Sequence, residues 1–257
     1  MLKRNLTDKI YPIVFFLAVL ALWEVLGRFT ALPSYILPTP SSIVLSLITD
    51  FRYISPNILI TLYETMIGFV IAIVLSVGIA VLMDSVRPVK KTLYPVMIIS
   101  QTIPIIILAP LFVIWFGYGY LPKILIVVLI CFFPITISLL TGLGTVDKEL
   151  VDLLRSMGAN KKQIYFSVKF PSALPDFFSG LKIAATYSIM GATIGEWVGG
   201  RNGLGVYMIR AKQSFATDKV FAAILVITIL SILMLRLISL IEKKAMPYSR
   251  IQEKSYE

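Results

Sequence analysis

The chain has 257 residues, 58% hydrophobic and 15% charged, with a formal net charge of +10. A soluble domain of this size carries about 25% charged residues, so the composition excludes a water-soluble globular protein and implies an integral membrane protein. With no His and one Cys, it also excludes His-based acid–base chemistry, a Ser-His-Asp triad, a His-rich metal or haem site and an internal disulfide. The basic excess is read as charge that holds loops on the cytoplasmic side of a membrane, not as a nucleic-acid surface.

A bilayer core needs roughly 20 apolar residues per helix. By that measure the chain is an all-α protein with about six transmembrane spans, at about 10–30, 57–83, 92–116, 121–144, 177–200 and 219–241. No long polar block, low-complexity tract or Gly/Ser linker divides it. It is read as one domain over residues 1–257, with a core over about 57–241.

The start, "MLKRNLTDK" before an apolar run, resembles a signal peptide. The run from Ile10 to Phe29 is longer than a typical signal core, holds Trp23, Glu24 and Arg28, and lacks an A-x-A-like site, so it reads as a retained first span. Glu24 and Arg28 stand at i,i+4 and pair on one helix. The following "ALPSYILPTPSSIVLSLITDFRYISPN" is broken into turns by its prolines, with Ser41 to Thr49 predicted as a short helix in the interface. Glu64 falls near the outer start of span two.

Span three, "TLYPVMIISQTIPIIILAPLFVIWF", carries Pro95, Pro104 and Pro110, each of which removes a backbone donor. In lipid the freed carbonyls need partners, so a broken helix must face protein or a water-filled path. Both a kinked packing helix and a pathway-lining helix satisfy that. On the second reading Gln101 and Thr102 line the path, joined from span five by Tyr187, Ser188 and Thr193. Cys131, inside span four, reads as a small packing residue.

Span five contains "SIMGATIGEWVGG". Gly191, Gly195 and Gly199 recur every four residues on one helix face and let another backbone approach closely, within the subunit or across a dimer. Glu196, close to the end of this span, is read as sitting shallow at the interface with Trp197 or pairing with Arg201, although an ionisable residue in a span is costly and often functional.

Lys and Arg fall unevenly on the two sides. Fifteen lie in the N-terminal segment, the 84–91 and 145–175 loops and the C-terminal segment, and seven lie on the opposite side. Both termini, and the 145–175 loop, are therefore predicted to be cytoplasmic.

That loop, "TVDKELVDLLRSMGANKKQIYFSVKFPSALP", is too polar to cross a membrane and too apolar to be a solvated linker. Asp147 is a plausible N-cap, and Leu150, Val151, Leu154 and Met157 recur at helical spacing. Gly158 suits a C-terminal stop. Asn160 caps a second short helix with Ile164, Tyr165 and Val168 on its apolar side, and Pro171 ends it. Such an apolar face either lies on lipid or fills a groove on a partner protein.

The spacing of this loop resembles the cytoplasmic loop of bacterial ABC importer permeases: Glu-Ala-Ala, three residues, Gly, nine residues, Ile, any residue, Leu-Pro. Asp152, Leu153 and Leu154 occupy the first three positions, then Gly158, then Val168, Lys169, Phe170 and Pro171. The spacing is intact, and five side chains differ. The stretches "LPTPSSIV", "TLYETMIGF", "IPIIILAPLFVIWFGYG", "FFPITISLLTG", "FPSALPDFFSGLKIA" and "GLGVYM" are similar to the nitrate/sulfonate/taurine group of these permeases, which includes transporters for thiamine-precursor pyrimidines.

The resemblance implies a type I importer permease fold and a multi-pass protein of the bacterial inner membrane. It implies a non-catalytic subunit with no metal or cofactor of its own, working with a pair of ATPase subunits that carry ATP and Mg²⁺. It further implies an extracytoplasmic substrate-binding protein and a second permease copy, all within membrane lipid. The chain has no G-x-x-x-x-G-K-[ST] loop. Asp152, Leu154, Met157, Gly158, Ala159, Ile164, Tyr165 and Pro171 are then the residues expected to couple the 145–175 loop to the ATPase. An ATPase-independent secondary transporter or a channel is the alternative class.

Overall fold

The computed structural model describes residues 6–30 and 33–246. The basic residues Lys3, Arg4, Arg250 and Lys254, used above for orientation, lie outside the described residues. Every regular element described is helical: α1 (Leu6–Phe29), α2 (Pro40–Thr49), α3 (Phe51–Ser85), α4 (Arg87–Ser100), α5 (Ile105–Phe116), α6 (Tyr120–Gly144), α7 (Lys148–Ser156), α8 (Lys161–Ile164), a π turn (Tyr165–Lys169), α9 (Phe170–Gly199), α10 (Leu204–Gln213) and α11 (Thr217–Ala245).

Four stretches are long and apolar enough to cross a membrane: Ile10–Phe29 within α1, and α3, α6 and α11. The expected third span is two helices. α4 and α5 meet at 102° across the break at 101–104. Pro104 is the physical cause. It stands extended (ψ 121°) as the N-cap of α5, and it lacks the N–H that a continuous ladder would require there. α9, the expected fifth span, is about 45 Å long at 1.5 Å per residue, but Asp176, Lys182, Glu196 and many Gly and Ala set it apart from the four apolar helices. The six expected spans thus resolve into four apolar helices, a sharply broken pair, and a small-residue helix.

α6 is the centre of the bundle, packed against α3, α9 and α5. Its seam with α9 is built from Cys131, Ile135, Ala184, Ala185, Ile189 and Ala192, all buried. Small residues let the two backbones close up, the packing expected where lipid gives no hydrophobic drive between helices. The Gly repeat serves this contact within the subunit. A Cβ at Gly191 would stand 2.9 Å from Ile130 Cδ1, at Gly195 2.9 Å from Lys123 Cα, and at Gly199 2.7 Å from Val113 Cγ2 of α5.

The short elements sit at the two ends. At one end α2 packs against α11, and Trp23 Nε1 of α1 donates to Pro38 O at 3.0 Å. The Glu24–Arg28 pair forms at 2.5 Å, and Glu24 also accepts from Ser41 N at 2.9 Å. At the other end lie the α7–α8 loop and the end of α3.

Pro171 does not end the second loop helix, contrary to the sequence expectation. α8, the π turn and α9 follow one another without an intervening coil. Pro171 falls in the first turn of α9, where a missing N–H is tolerated, and the widened turn before it accommodates the interruption of the ladder.

Gly195→Ala is expected to lower stability by about 1–3 kcal/mol, because the added methyl meets backbone that cannot yield. Gly78→Ala, with open space at its Cβ position, is expected to be neutral or to gain up to about 1 kcal/mol. Thermal unfolding of the two purified variants in detergent checks the contrast.

Candidate functional site

Three groupings of functional side chains emerge. The first is the loop between α6 and α9. Asp147 caps α7 by accepting from Glu149 N at 2.9 Å. At the far end of α7, Gly158 N donates to Arg155 O and Ala159 N to Leu154 O, each at 3.0 Å. This is the paired closure of a helix by a left-handed residue, and Gly158 has φ +85°. Asn160 and Gln163 then form a reciprocal capping box, with Gln163 N donating to Asn160 Oδ1 at 2.9 Å and Asn160 N to Gln163 Oε1 at 2.8 Å. Lys169 Nζ closes the loop onto α3 through Asp84, at 2.8 Å.

The apolar side chains of this loop divide in two. Ile164 is buried, and Tyr165 is half-buried against the cluster of Ala80, Met83, Leu140 and Ala173. Burial and the Asp84 charge push the Tyr165 phenol up to about 12. These two residues, expected to fill a partner's groove, spend their apolar surface on the subunit's own helices. Leu154, Ala159 and Pro171 are partly covered, and Asp152 is exposed and pairs with Arg155 at 3.2 Å. The surface left bare is made by Leu150, Leu153, Met157 and Phe166, the last two 75% and 72% exposed. Leu153, noted in sequence only as a departure from the family pattern, and Phe166 are not among the residues expected to couple; their exposure depends on how the loop folds back on the bundle.

The second grouping surrounds the break between α4 and α5. A cavity of about 280 Å³ opens there, lined by Ser100, Gln101, Phe133, Ile183 and Tyr187 among others. It brings Gln101 and Tyr187 together. Thr102 is exposed and bonds its own helix end through Ile99 O at 2.7 Å. Ser188 and Thr193 are buried and donate within α9, to Ala185 O at 2.9 Å and Ile189 O at 2.8 Å. They do not join the Gln101–Tyr187 cavity.

The third grouping lies toward the opposite end of the bundle from the loop. Lys123 Nζ of α6 reaches Glu64 Oε1 of α3 at 2.5 Å, with side chains 5% and 0% exposed. Glu196 of α9 is also buried. Its Oε1 accepts from Thr61 Oγ1 and its Oε2 from Gly205 N, both at 2.6 Å. Thr61 Oγ1 in turn accepts from Leu204 N at 2.9 Å, and Asn57 Oδ1 from Gly203 N at 2.7 Å. The expectation of a shallow Glu196 paired with Arg201 is overturned: the carboxyl turns inward because α10's free N–H groups and Thr61 offer it donors there. Lys123, counted by sequence as a loop charge, is its buried neighbour. The signal available was the pair of acids in spans, since a buried acid demands a counter-charge.

Removing one member of a buried ion pair strands the other. Lys123→Met is therefore expected to destabilise by about 3–5 kcal/mol, and Lys123→Met combined with Glu64→Gln to recover most of that loss. Thermal unfolding of the solubilised variants measures both.

Residues 72–246 match the family described as binding-protein-dependent transport system inner membrane component. The formylaminopyrimidine transport permease of Halalkalibacterium halodurans is 37% identical over 242 residues, covering 94% of this chain and 96% of the relative. The riboflavin transport system permease of Chloroflexus aurantiacus is 29% identical, covering 88% and 85%. The taurine transport system permease of Escherichia coli is 27% identical, covering 91% and 86%.

Proposed function

The chain belongs to the binding-protein-dependent transport inner membrane component family, as a multi-pass membrane permease of an ABC importer, and from that premise we propose its substrate and its coupling. The proposed cargo is a small uncharged nitrogen heterocycle of the formylaminopyrimidine type. The observation that carries this reading is the 37% identity over nearly the whole length of both chains to a permease so named, against 27% to the taurine permease. The cavity at the α4–α5 break supports it. Its lining is neutral, with Gln101 and Ser100 as hydrogen-bonding groups and Phe133 and Tyr187 as rings. That suits a flat polar ring better than a sulfonate, which calls for cationic or bidentate partners.

The proposed mechanism is alternating access in a pair of permease copies. ATP and Mg²⁺ are held by two ATPase subunits, and an external binding protein delivers the solute. The bare face of Leu150, Leu153, Met157 and Phe166 seats in the ATPase. The caps at Asp147, Gly158 and Asn160 make the loop a stiff lever. Because α8 runs through the π turn into α9, displacement of the loop tilts α9, and with it one wall of the Gln101–Tyr187 cavity. No covalent step occurs in this subunit.

Reconstituted with its ATPase and binding-protein partners, the permease is expected to take up a labelled formylaminopyrimidine in an ATP-dependent manner and to leave taurine outside; the reverse preference overturns the substrate reading. Gly158→Val forces a β-branched residue into a left-handed conformation, a strain of about 1–3 kcal/mol. It is expected to abolish uptake with the subunit still in the membrane. Gly158→Asn, which tolerates that conformation, keeps most of the activity. Phe166→Asp is expected to weaken copurification with a tagged ATPase subunit, and undiminished recovery would turn the bare face toward lipid.

A further inference from the structure

At the end of the bundle opposite the coupling loop lies a cavity of about 300 Å³ whose lining includes Tyr118, Gly119, Tyr120, Lys123, Arg201 and Asn202. Two short connections border it, the α5–α6 turn around Gly117–Gly119 and the α9–α10 connection Gly200–Gly203. They are held in opposite ways.

The Gly200–Gly203 connection is locked from below. Three successive N–H groups at the head of α10, those of Gly203, Leu204 and Gly205, donate to Asn57, Thr61 and Glu196. These side chains come from two different helices, so the connection is tied at once to α3 and α9. The fit is close enough to exclude a single methyl. A Cβ at Gly203, where φ is +123°, would fall 2.2 Å from Glu196 Cδ, and one at Gly200 would fall 2.5 Å from Glu196 O. The Glu196 carboxyl takes the Gly205 bond and lies against Gly203, and its other oxygen accepts from Thr61, which in turn accepts from Leu204 N.

The α5–α6 turn has none of this. Gly117 and Gly119 have φ +75° and +150°, and nothing stands within 4 Å of either Cβ position. Tyr118 between them is 76% exposed. The turn is joined to α5 by the Gly117 N to Val113 O bond at 2.9 Å and to α6 at Tyr120, whose ring meets Tyr63 of α3 edge-on at 5.6 Å; between those two ties its glycines are uncrowded by any side chain.

We infer that Glu196 is a positioning residue for transport: it fixes Gly200–Leu204 as the static wall of this cavity, so that the α5–α6 turn carries the opening. The two sides are not equivalent lips. One is a wall bonded through a buried carboxyl, and the other is a flap built on glycines with open space around them. The inference rests on the alternating-access reading in one respect, that this end of the bundle opens and closes during the cycle.

Single cysteine reporters distinguish wall from flap. Cys131, the one native cysteine, is buried and stays silent to a membrane-impermeant maleimide. Asn202→Cys and Tyr118→Cys are each placed in the assembled importer in nanodiscs. Labelling rates are compared without nucleotide and after trapping with ATP and vanadate. The Tyr118→Cys rate is expected to change several-fold between the two states and the Asn202→Cys rate to stay constant. Adding Glu196→Ala is expected to make the Asn202→Cys rate depend on state, and Glu196→Gln, which keeps an acceptor oxygen, to restore its constancy. A merely structural Glu196 would change yield without creating that dependence. If Asn202→Cys moves as much as Tyr118→Cys in the otherwise unaltered chain, the inference is overturned even where Glu196→Ala cannot be purified. If neither reporter changes, this end does not open with nucleotide; the alternating-access reading then fails at this end and the inference with it.

Discussion

The contact on which the bundle depends is the one between Lys123 and Glu64, an ammonium and a carboxylate almost wholly removed from solvent. Each charge alone costs several kcal/mol to bury, and their attraction offsets that cost only at short range with good geometry. α3 and α6 must therefore stay in register at this level. Glu196 comes into the same region from α9 by a route that only small residues permit, since Gly195 sets the α9 backbone directly against Lys123. Three long helices are thereby fixed to one another at one end by polar contacts, while the middle of the α6–α9 seam is apolar and small.

That asymmetry has a mechanical consequence. The α6–α9 seam sets small residues of α9 (Ala184, Ala185, Gly191, Ala192) against Cys131 and the branched Ile130 and Ile135 of α6, so the two backbones run close together. The opposite end is tied differently. Lys169 and Asp84 pair at 2.8 Å with side chains 25% and 11% exposed, beside the apolar cluster that takes up Tyr165. On the proposed mechanism the bundle pivots about the more fully buried Lys123–Glu64 clamp. A force applied at α7 and α8 then has its greatest effect near the loop and around the α4–α5 break, and its least at Glu196. The lever is stiff for local reasons: both helix ends at the elbow are closed by their own caps, so bending it requires breaking four backbone or capping hydrogen bonds rather than rotating one free glycine.

Much of this was legible in the sequence wherever a local rule applied. Asp147, Gly158 and Asn160 act where their side-chain chemistry and spacing put them, and Glu24 pairs with Arg28 as i,i+4 geometry requires. The short helix before α3 and the disruption at Pro104 were equally visible, because proline and capping effects need no tertiary context. What depended on contacts far apart in the chain was not legible. Lys123 looked like a loop charge because nothing local says that residue 64 lies beside it. Glu196 looked shallow because its donors, Thr61 of α3 and Gly205 at the head of α10, are brought to it only by the fold. Tyr165 looked available to a partner because the apolar cluster that absorbs it is assembled from α3, α6 and α9, and Ile164 because its burial is likewise set by the folded chain. Pro171 was misjudged for a subtler reason. It was read as a stop, whereas a widened turn just before it makes it a start.

The departures from the family's loop pattern become intelligible once the loop is divided into its inward and outward faces. The pattern's small residues fall here on Leu153, which is 57% exposed, and on Leu154, which is partly covered. A leucine at an exposed position on a helix end costs the fold nothing, so the subunit's own packing places no restriction on residue 153. Two other positions are constrained by the fold. Ile164 is buried, and Gly158, though exposed, is confined by its positive φ. These are constrained by the chain itself whatever sits outside it. The substitution at 153 adds apolar surface beside Leu150 and Met157, on the face proposed to meet the ATPase. The side chain that departs most visibly from the pattern thus belongs to the surface that the fold leaves free and that a partner would have to match. That division predicts where divergence between related permeases concentrates: at outward positions such as 153 and 166, tuned pairwise with a partner, and not at 158 or 164, which answer to backbone geometry and core packing.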